Sequence, residues 1–146
     1  MDDNRFYPSN FPVIEGEPTR DKFAIAANNG QGEGVITKVP FKEGDLVFIF
    51  TGVVLPYQTL FTLQLDKETF IEDRYFMGKI LHSCQPNLTC DMKTRTFTAA
   101  RDIHPLEFLS MDYNSTEDIL FRSFQCQCGE DNCKGWIEGK LATKDI

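Results

Sequence analysis

A mostly-β single domain is the fold class that this chain of 146 residues predicts. Three observations carry it. Short runs of β-branched and aromatic residues recur along the chain, and glycine and proline cut it into pieces of roughly five to ten residues. Helical periodicity is scarce. Hydrophobic residues make up 41% of the chain and 13 are Phe, enough to build one core at this length.

The strands follow in chain order. "FAIAA" (23–27) and "GVITKV" (34–39) flank the loop "NNGQGEG" and read as two strands. "DLVFIF" (45–50) is nearly all apolar, which predicts a strand covered on both faces. In "FTLQL" (61–65) Phe61, Leu63 and Leu65 alternate with polar positions, the period of a half-buried strand. "LTCDM" (88–92) and "RTFTAA" (95–100) complete the set. The best helical candidate is "STEDILFRSF" (115–124), with Ser115 or Thr116 as N-cap and acidic residues in its first turn.

The formal charge is −7 and the pI about 4.8. That balance argues against nucleic acid or an anionic membrane as direct partner and suits a basic one. "MDDNRFYPSN" lacks the apolar core of a secretory leader, so the expectation is an intracellular protein, cytoplasmic or nuclear. "LVFIFTGVVLP" falls well short of the roughly 20 residues of a spanning helix. Oligomeric state has no signal in the sequence.

Three of the five cysteines, Cys126, Cys128 and Cys133, crowd into "FQCQCGEDNCKGWI" (124–137). An odd total does not suit a closed disulfide framework, and a reducing compartment favours thiolates. Three thiolates on so short a loop can take three corners of a structural zinc tetrahedron, with Gly129 supplying the tight turn. Zinc would also order a terminal segment too small to bury its own core. Cys84, Cys90, His82 and His104 are all candidates for the fourth ligand, and spacing does not choose among them.

Two other motifs invite chemistry. The alternating Gly30, Gly32 and Gly34 enter a β-branched strand rather than a helix, so they match neither a dinucleotide fingerprint nor a P-loop. What remains is a backbone that a ligand can approach closely. In "ILHSCQPNLTC" (80–90) a nucleophilic Cys84 could pair with His82 or His104, but nothing completes a triad.

Taken in order, four motifs resemble those of the SET-domain protein-lysine methyltransferases. "GQGEGVITKVPFKEGDLVFIFTGVVL" resembles the family's G-x-G opening and its Y-x-G strand end, and "LHSCQPN" resembles N-H-S-C-x-P-N. "FTAARDIHPLEFLSMDY" resembles f-x-A-x-R-D-I-x-x-G-E-E-L-T-x-D-Y, and "FQCQCGEDNCKGWI" resembles the post-SET pattern F-x-C-x-C-G-x-x-x-C-x-G-x-I/L. The resemblance implies a SET-domain fold of several small curved sheets with few short helices, closed by a zinc-bound C-terminal loop. It divides the chain into a lead-in (1–21), a SET domain (22–121), a post-SET zinc segment (122–140) and a tail (141–146).

The same resemblance assigns roles. It makes Cys84 the fourth zinc ligand beside Cys126, Cys128 and Cys133, leaving Cys90 an ordinary strand residue. Gly32, Glu33 and Gly34, with Leu81 and His82, would line the cofactor S-adenosylmethionine. Tyr113 matches the active-site tyrosine, Trp136 would pack near the adenine or the lysine channel, and Phe50 and Met111 would shape the substrate pocket. The implied reaction is methyl transfer to a lysine amine of a protein, for instance in a basic tail. Leu81 stands where the family has Asn, Phe50 where it has Tyr, Leu106 at a glycine and Phe108 at an acid. Those departures leave two alternatives beside the enzyme: a cofactor- or protein-binding module, and methyl transfer to a non-protein amine.

Overall fold

A computed structural model describes residues 3–28, 32–126 and 128–140; Gly30 and the 141–146 tail lie outside them. Among these residues, twelve short strands form five small sheets. β1 (Phe23–Asn28) and β2 (Gly32–Thr37) make an antiparallel hairpin with Phe23 opposite Thr37. β2 starts and stops earlier than expected, because the Thr37 hydroxyl accepts the Val39 N–H at 3.2 Å and donates to its carbonyl at 2.6 Å, which turns the chain out.

β3 (Leu46–Ile49) is an edge strand, and β4 (Val53–Leu55) lies at the edge of another sheet beside β6 (Phe70–Glu72). Leu46 is 50% exposed while Val47 and Phe48 are buried, so β3 is not covered on both faces. Its register shifts between Leu46 and Phe48, and the edge leaves the first residue in solvent. β5 (Thr62–Gln64) pairs with the other side of β6. Here alternation breaks at the buried Gln64, whose amide donates to Asp66 O (3.0 Å) and Asp118 Oδ2 (2.9 Å) and accepts the Asp118 N–H (2.7 Å). A polar side chain turns inward where it finds partners.

The remaining strands set the site. β7 (Leu81–His82) runs parallel to β10 (Ser110–Met111), while β8 (Leu88–Asp91) and β9 (Thr96–Ala99) join β3. Asn87, 1% exposed, locks β10 in place: its amide donates to Phe108 O at 2.9 Å and accepts the Ser110 N–H at 2.8 Å. β11 (Phe124–Gln125) and β12 (Trp136–Ile137) close the C-terminal segment.

The predicted helix over 115–124 does not form. A 3-10 turn spans Tyr113–Ser115, capped by Asp112, which accepts the Asn114 N–H, rather than by Ser115 or Thr116. Beyond it the chain finds distant partners. Glu117 accepts the Gln64 N–H at 2.8 Å, Leu120 N–H donates to Glu138 O at 3.0 Å, and Phe124 enters β11. Tertiary hydrogen bonds override the local propensity.

The core is aromatic. Phe48 stacks on Phe97 with centroids 4.7 Å apart and meets Phe76 edge-on at 4.8 Å; Phe23 and Phe6 pack on Phe76 at 5.1 and 4.8 Å. Burying each such ring is worth about 1.5–3 kcal/mol. Phe6 and Tyr7 bring the lead-in into this core. The buried Asp73 anchors it by accepting the Tyr7 hydroxyl at 2.7 Å and the N–H groups of Tyr75, Phe76 and Met77. Among the described residues, no helix is long and apolar enough to cross a membrane.

Candidate active site

β2, β7, β10 and the turn after β10 converge on a cavity of about 490 Å³. Its wall contains Gly32, Glu33, Leu81, Met111 and Tyr113 from the sequence-derived set, together with Thr59–Leu63, Lys79, Glu117, Phe121 and Phe124. A cavity of this size suits a drug-sized ligand.

The two described glycines of the loop do different work. Gly32 has φ +79°, where a side chain would be strained, and nothing lies within 4 Å of the position of its missing Cβ. Gly34 is needed for space: a Cβ there would sit 2.9 Å from both Leu81 Cδ1 and Phe108 Cδ1. Gly34 therefore lets β2 press against β7, and Leu81 packs on it. Between the glycines, Glu33 reaches Lys79 in a 2.8 Å ion pair at the cavity wall.

Tyr113 sits where β10 ends. Its hydroxyl donates to Ile80 O at 2.6 Å, and its ring packs against His82 and Phe124 with centroids 5.1 and 5.9 Å away. Burial pushes its phenol well above the ordinary tyrosine range, so it stays protonated as a donor. His82 is the buried partner below it. Its Nδ1 accepts the Tyr113 N–H at 3.1 Å, and burial lowers its pKa, which keeps the ring neutral. That assigns the ring proton to Nε2, which faces Cys84 Sγ at 3.5 Å.

Cys84 belongs to a four-thiol cluster. The Sγ atoms of Cys84, Cys126, Cys128 and Cys133 all lie within 4.8 Å of one another, and Cys84 and Cys126 are 3.8 Å apart. A zinc tetrahedron with bonds of about 2.3 Å has sulfur–sulfur edges of about 3.8 Å, so the four thiols fit that ion. Burial pushes the Cys126 thiol up to about 12, whereas Cys128, despite its own burial, is brought down to about 7 by N–H groups of Cys84 and Glu130 and by its thiol neighbours. The other candidates fall elsewhere: Cys90 Sγ points to Met92 Sδ at 3.4 Å, His82 is spent on Tyr113 and Cys84, and the cluster does not include His104. A Cys84–His82 contact exists, but its sulfur is taken into the cluster, not left as a nucleophile.

The cluster ties the C-terminal segment to the site. Asn132 donates to Cys84 O at 3.0 Å, Lys134 N–H to Cys84 Sγ at 3.2 Å, and Lys134 Nζ pairs with Asp112 at 3.0 Å, one residue before Tyr113. Ile137 is fully buried behind the thiols with Leu120 and Phe124 beside it.

Four expected site residues do not line the cavity: Gly34 and His82 back it, packed against Leu81 and Tyr113, and Phe50 and Trp136 stand apart. Phe50 is 1% exposed in the core, 5.6 Å from Phe97, and does not line the cavity. Trp136 is 53% exposed and bonds Glu138, outside the cavity wall. The sequence reading missed Lys79, Glu117, Phe121 and the Thr59–Leu63 wall. Only a register for the loop after β4 could have revealed the last, and no periodicity there supplies one.

No family model matches the chain. The methyltransferase flvH of Aspergillus flavus is 35% identical over 94 residues, covering 62% of this chain and 52% of flvH. A histone-lysine N-methyltransferase of Chaetomium globosum, H3 lysine-36 specific, is 30% identical over 146 residues, covering 83% of this chain and 16% of its own. The chain thus spans about half or less of the length of these relatives. Among solved structures, KRYPTONITE in complex with mCHG DNA and SAH matches with TM-score 0.65 and 25% identity over 78% of this chain and 28% of that one. A second KRYPTONITE structure, which also holds an H3(1-15) peptide, has TM-score 0.62 and 24% identity, covering 78% of this chain and 29% of that one. The likeness in sequence over 83% of the chain and in fold over 78% of it places the chain in the SET-domain family.

Proposed function

We propose that this protein transfers a methyl group from S-adenosylmethionine to a lysine amine of a protein substrate. One observation carries the reading: a single cavity is lined by the β2 glycine turn, Leu81 and Tyr113, and the four-thiol segment packs against it through Phe124. SAH, the product left when that cofactor loses its methyl, accompanies the KRYPTONITE matches. The cofactor would be held by Gly32, Glu33, Gly34, Leu81 and the His82 backbone, and it supplies a methyl on a sulfonium, activated for attack by nitrogen.

The chain's own residues do the rest. Burial around Tyr113 excludes water, and the ring's face favours a cationic neighbour. A lysine amine has pKa about 10.4 in water, so it must shed its proton before it can attack; an apolar wall formed by Leu60, Leu63 and Phe121 favours the neutral form. With its hydroxyl fixed on Ile80 O and its backbone on His82, Tyr113 is preset rather than free to rotate. Positioning of this kind can account for much of a transfer rate. Zinc at the four thiols would serve structure, not chemistry. The acidic charge of −7 suits a basic protein segment, and an H3(1-15) peptide accompanies one KRYPTONITE match. Thiolate ligands belong in a reducing, intracellular setting.

Calorimetry with S-adenosylhomocysteine and a labelled-methyl assay over lysine peptides test the reading. Binding with transfer supports it. Binding without transfer to any peptide, protein extract or small amine replaces the enzyme with a binding module, and transfer to small amines alone replaces the substrate.

A further inference from the structure

Two acids line the cavity, and they differ in one respect. Glu33 is exposed and neutralised by Lys79 at 2.8 Å. Glu117 is only 3% exposed, and among the described residues no cation pairs with it. Its carboxylate accepts the Gln64 N–H at 2.8 Å and, at a long 3.4 Å, the Gln58 amide. Of the nearby cations, Lys140 Nζ pairs with Asp118 at 3.7 Å, and Arg122 lies exposed at the cavity wall with no ion pair to Glu117. Buried carboxylates are ordinarily paired with a cation, since neutral hydrogen bonds recover only part of their hydration. The Thr116 side chain is a further partner, so of the about four acceptor sites that a carboxylate offers, three are used here.

We propose that Glu117 is the recognition residue for a cationic acceptor, pairing with the ammonium of an incoming lysine side chain before it loses its proton. The inference rests on the methyltransferase reading and specifies the charge state in which the acceptor is first bound. Position supports it. Glu117 follows Tyr113 by one turn, its N–H donates to Tyr113 O at 3.0 Å, and both residues line the same cavity. Lysine arrives charged at neutral pH, because its pKa lies near 10.4. The wall also presents the apolar Leu60, Leu63, Phe121 and Phe124 and two cations, Lys79, held by Glu33, and Arg122; beside them a carboxylate with no cation within pairing distance selects an ammonium over an apolar side chain. It gives the acceptor a charged first contact, and Tyr113 next to it the contact at the reacting nitrogen.

The test uses the full chain with S-adenosylhomocysteine bound. The probes are the H3(1-15) peptide and the same peptide with norleucine, an uncharged lysine analogue, at the acceptor lysines. Wild type should prefer the lysine peptide by about tenfold, and Glu117→Gln should erase that preference while binding S-adenosylhomocysteine as before. With labelled S-adenosylmethionine, Glu117→Gln should raise KM for the peptide by about tenfold with a smaller change in kcat. Glu117→Asp keeps the charge and should keep the lysine preference; it also serves if the glutamine variant fails to fold, and loss of preference in a folded aspartate variant counts against the assignment. No methyl transfer by wild type overturns the methyltransferase reading and this inference with it. Transfer by wild type, with KM and lysine preference unchanged in Glu117→Gln, overturns the role of Glu117 alone.

Discussion

Asn87→Ala tests how the site is held. The side chain is buried and bridges two segments: its amide donates to Phe108 O at 2.9 Å, and its oxygen accepts the Ser110 N–H at 2.8 Å. Alanine leaves both backbone groups without their partner in half-buried surroundings. Each stranded group costs about 1–3 kcal/mol, and the lower half of that range applies where water has partial access, so the loss is about 3 kcal/mol. Against a total of about 5–15 kcal/mol this is a large fraction. With a urea m-value near 2 kcal/mol/M, the unfolding midpoint should fall by about 1.5 M at unchanged m. Asn87→Asp keeps the acceptor for Ser110 but loses the donor to Phe108 and should fall between the two. A midpoint within about 0.3 M of wild type for the alanine variant would show that β10 is held beside β7 by something other than Asn87.

Three further outcomes follow from named contacts. Purified protein should carry one zinc per chain by elemental analysis; Cys84→Ser should lower that content and Cys90→Ser should not, since Cys90 Sγ points at Met92. Leu106 has φ +73° on an exposed turn, a conformation that costs a non-glycine residue roughly 1 kcal/mol, so Leu106→Gly should raise the urea midpoint; a fall would mean the leucine has a contact that outweighs its strain. Burial raises the Glu117 pKa above its ordinary value near 4.3, so over that window the folded chain binds more protons than the unfolded one and stability falls as pH rises. Glu117→Gln removes that contribution. Its stability relative to wild type should therefore grow as pH climbs from 4 towards 7 in paired urea titrations, and a flat difference would place the carboxylate in water.

Legibility in the sequence tracked length and periodicity. β1, β3, β8 and β9 were readable because each runs for four to six residues with β-branched or aromatic side chains among them, such as Phe23, Ile25, Val47, Phe48, Thr89 and Phe97. β7, β10, β11 and β12 are two residues each, too short for any period, and exist because distant partners meet them. The 115–124 segment misled for the same reason: its acids resemble a helical first turn, whereas Glu117 is drawn inward by Gln64. Spacing showed three thiols and left four candidates for the next; the motif resemblance pointed to Cys84, and the geometry brings Cys84, not Cys90, into the cluster. Motif order singled out Tyr113, Leu81 and the glycines. It gave Phe50 and Trp136 the same standing, although one is packed in the core and the other lies half exposed. A side chain's burial depends on how distant segments pack against it, which motif order does not record.

In the proposed function, Tyr113 and the β2 glycine strand form the methyl-transfer end of one cavity. Mass spectrometry of a lysine peptide incubated with S-adenosylmethionine and either wild type or Tyr113→Phe tests it most directly. Wild type should add methyl groups to lysine; the phenylalanine variant should bind S-adenosylhomocysteine with similar affinity yet lose about 10²-fold or more in turnover, the pattern of a contact made mainly in the transition state. Equal methylation by the two proteins, or none by wild type under conditions where it binds the cofactor, would contradict the claim.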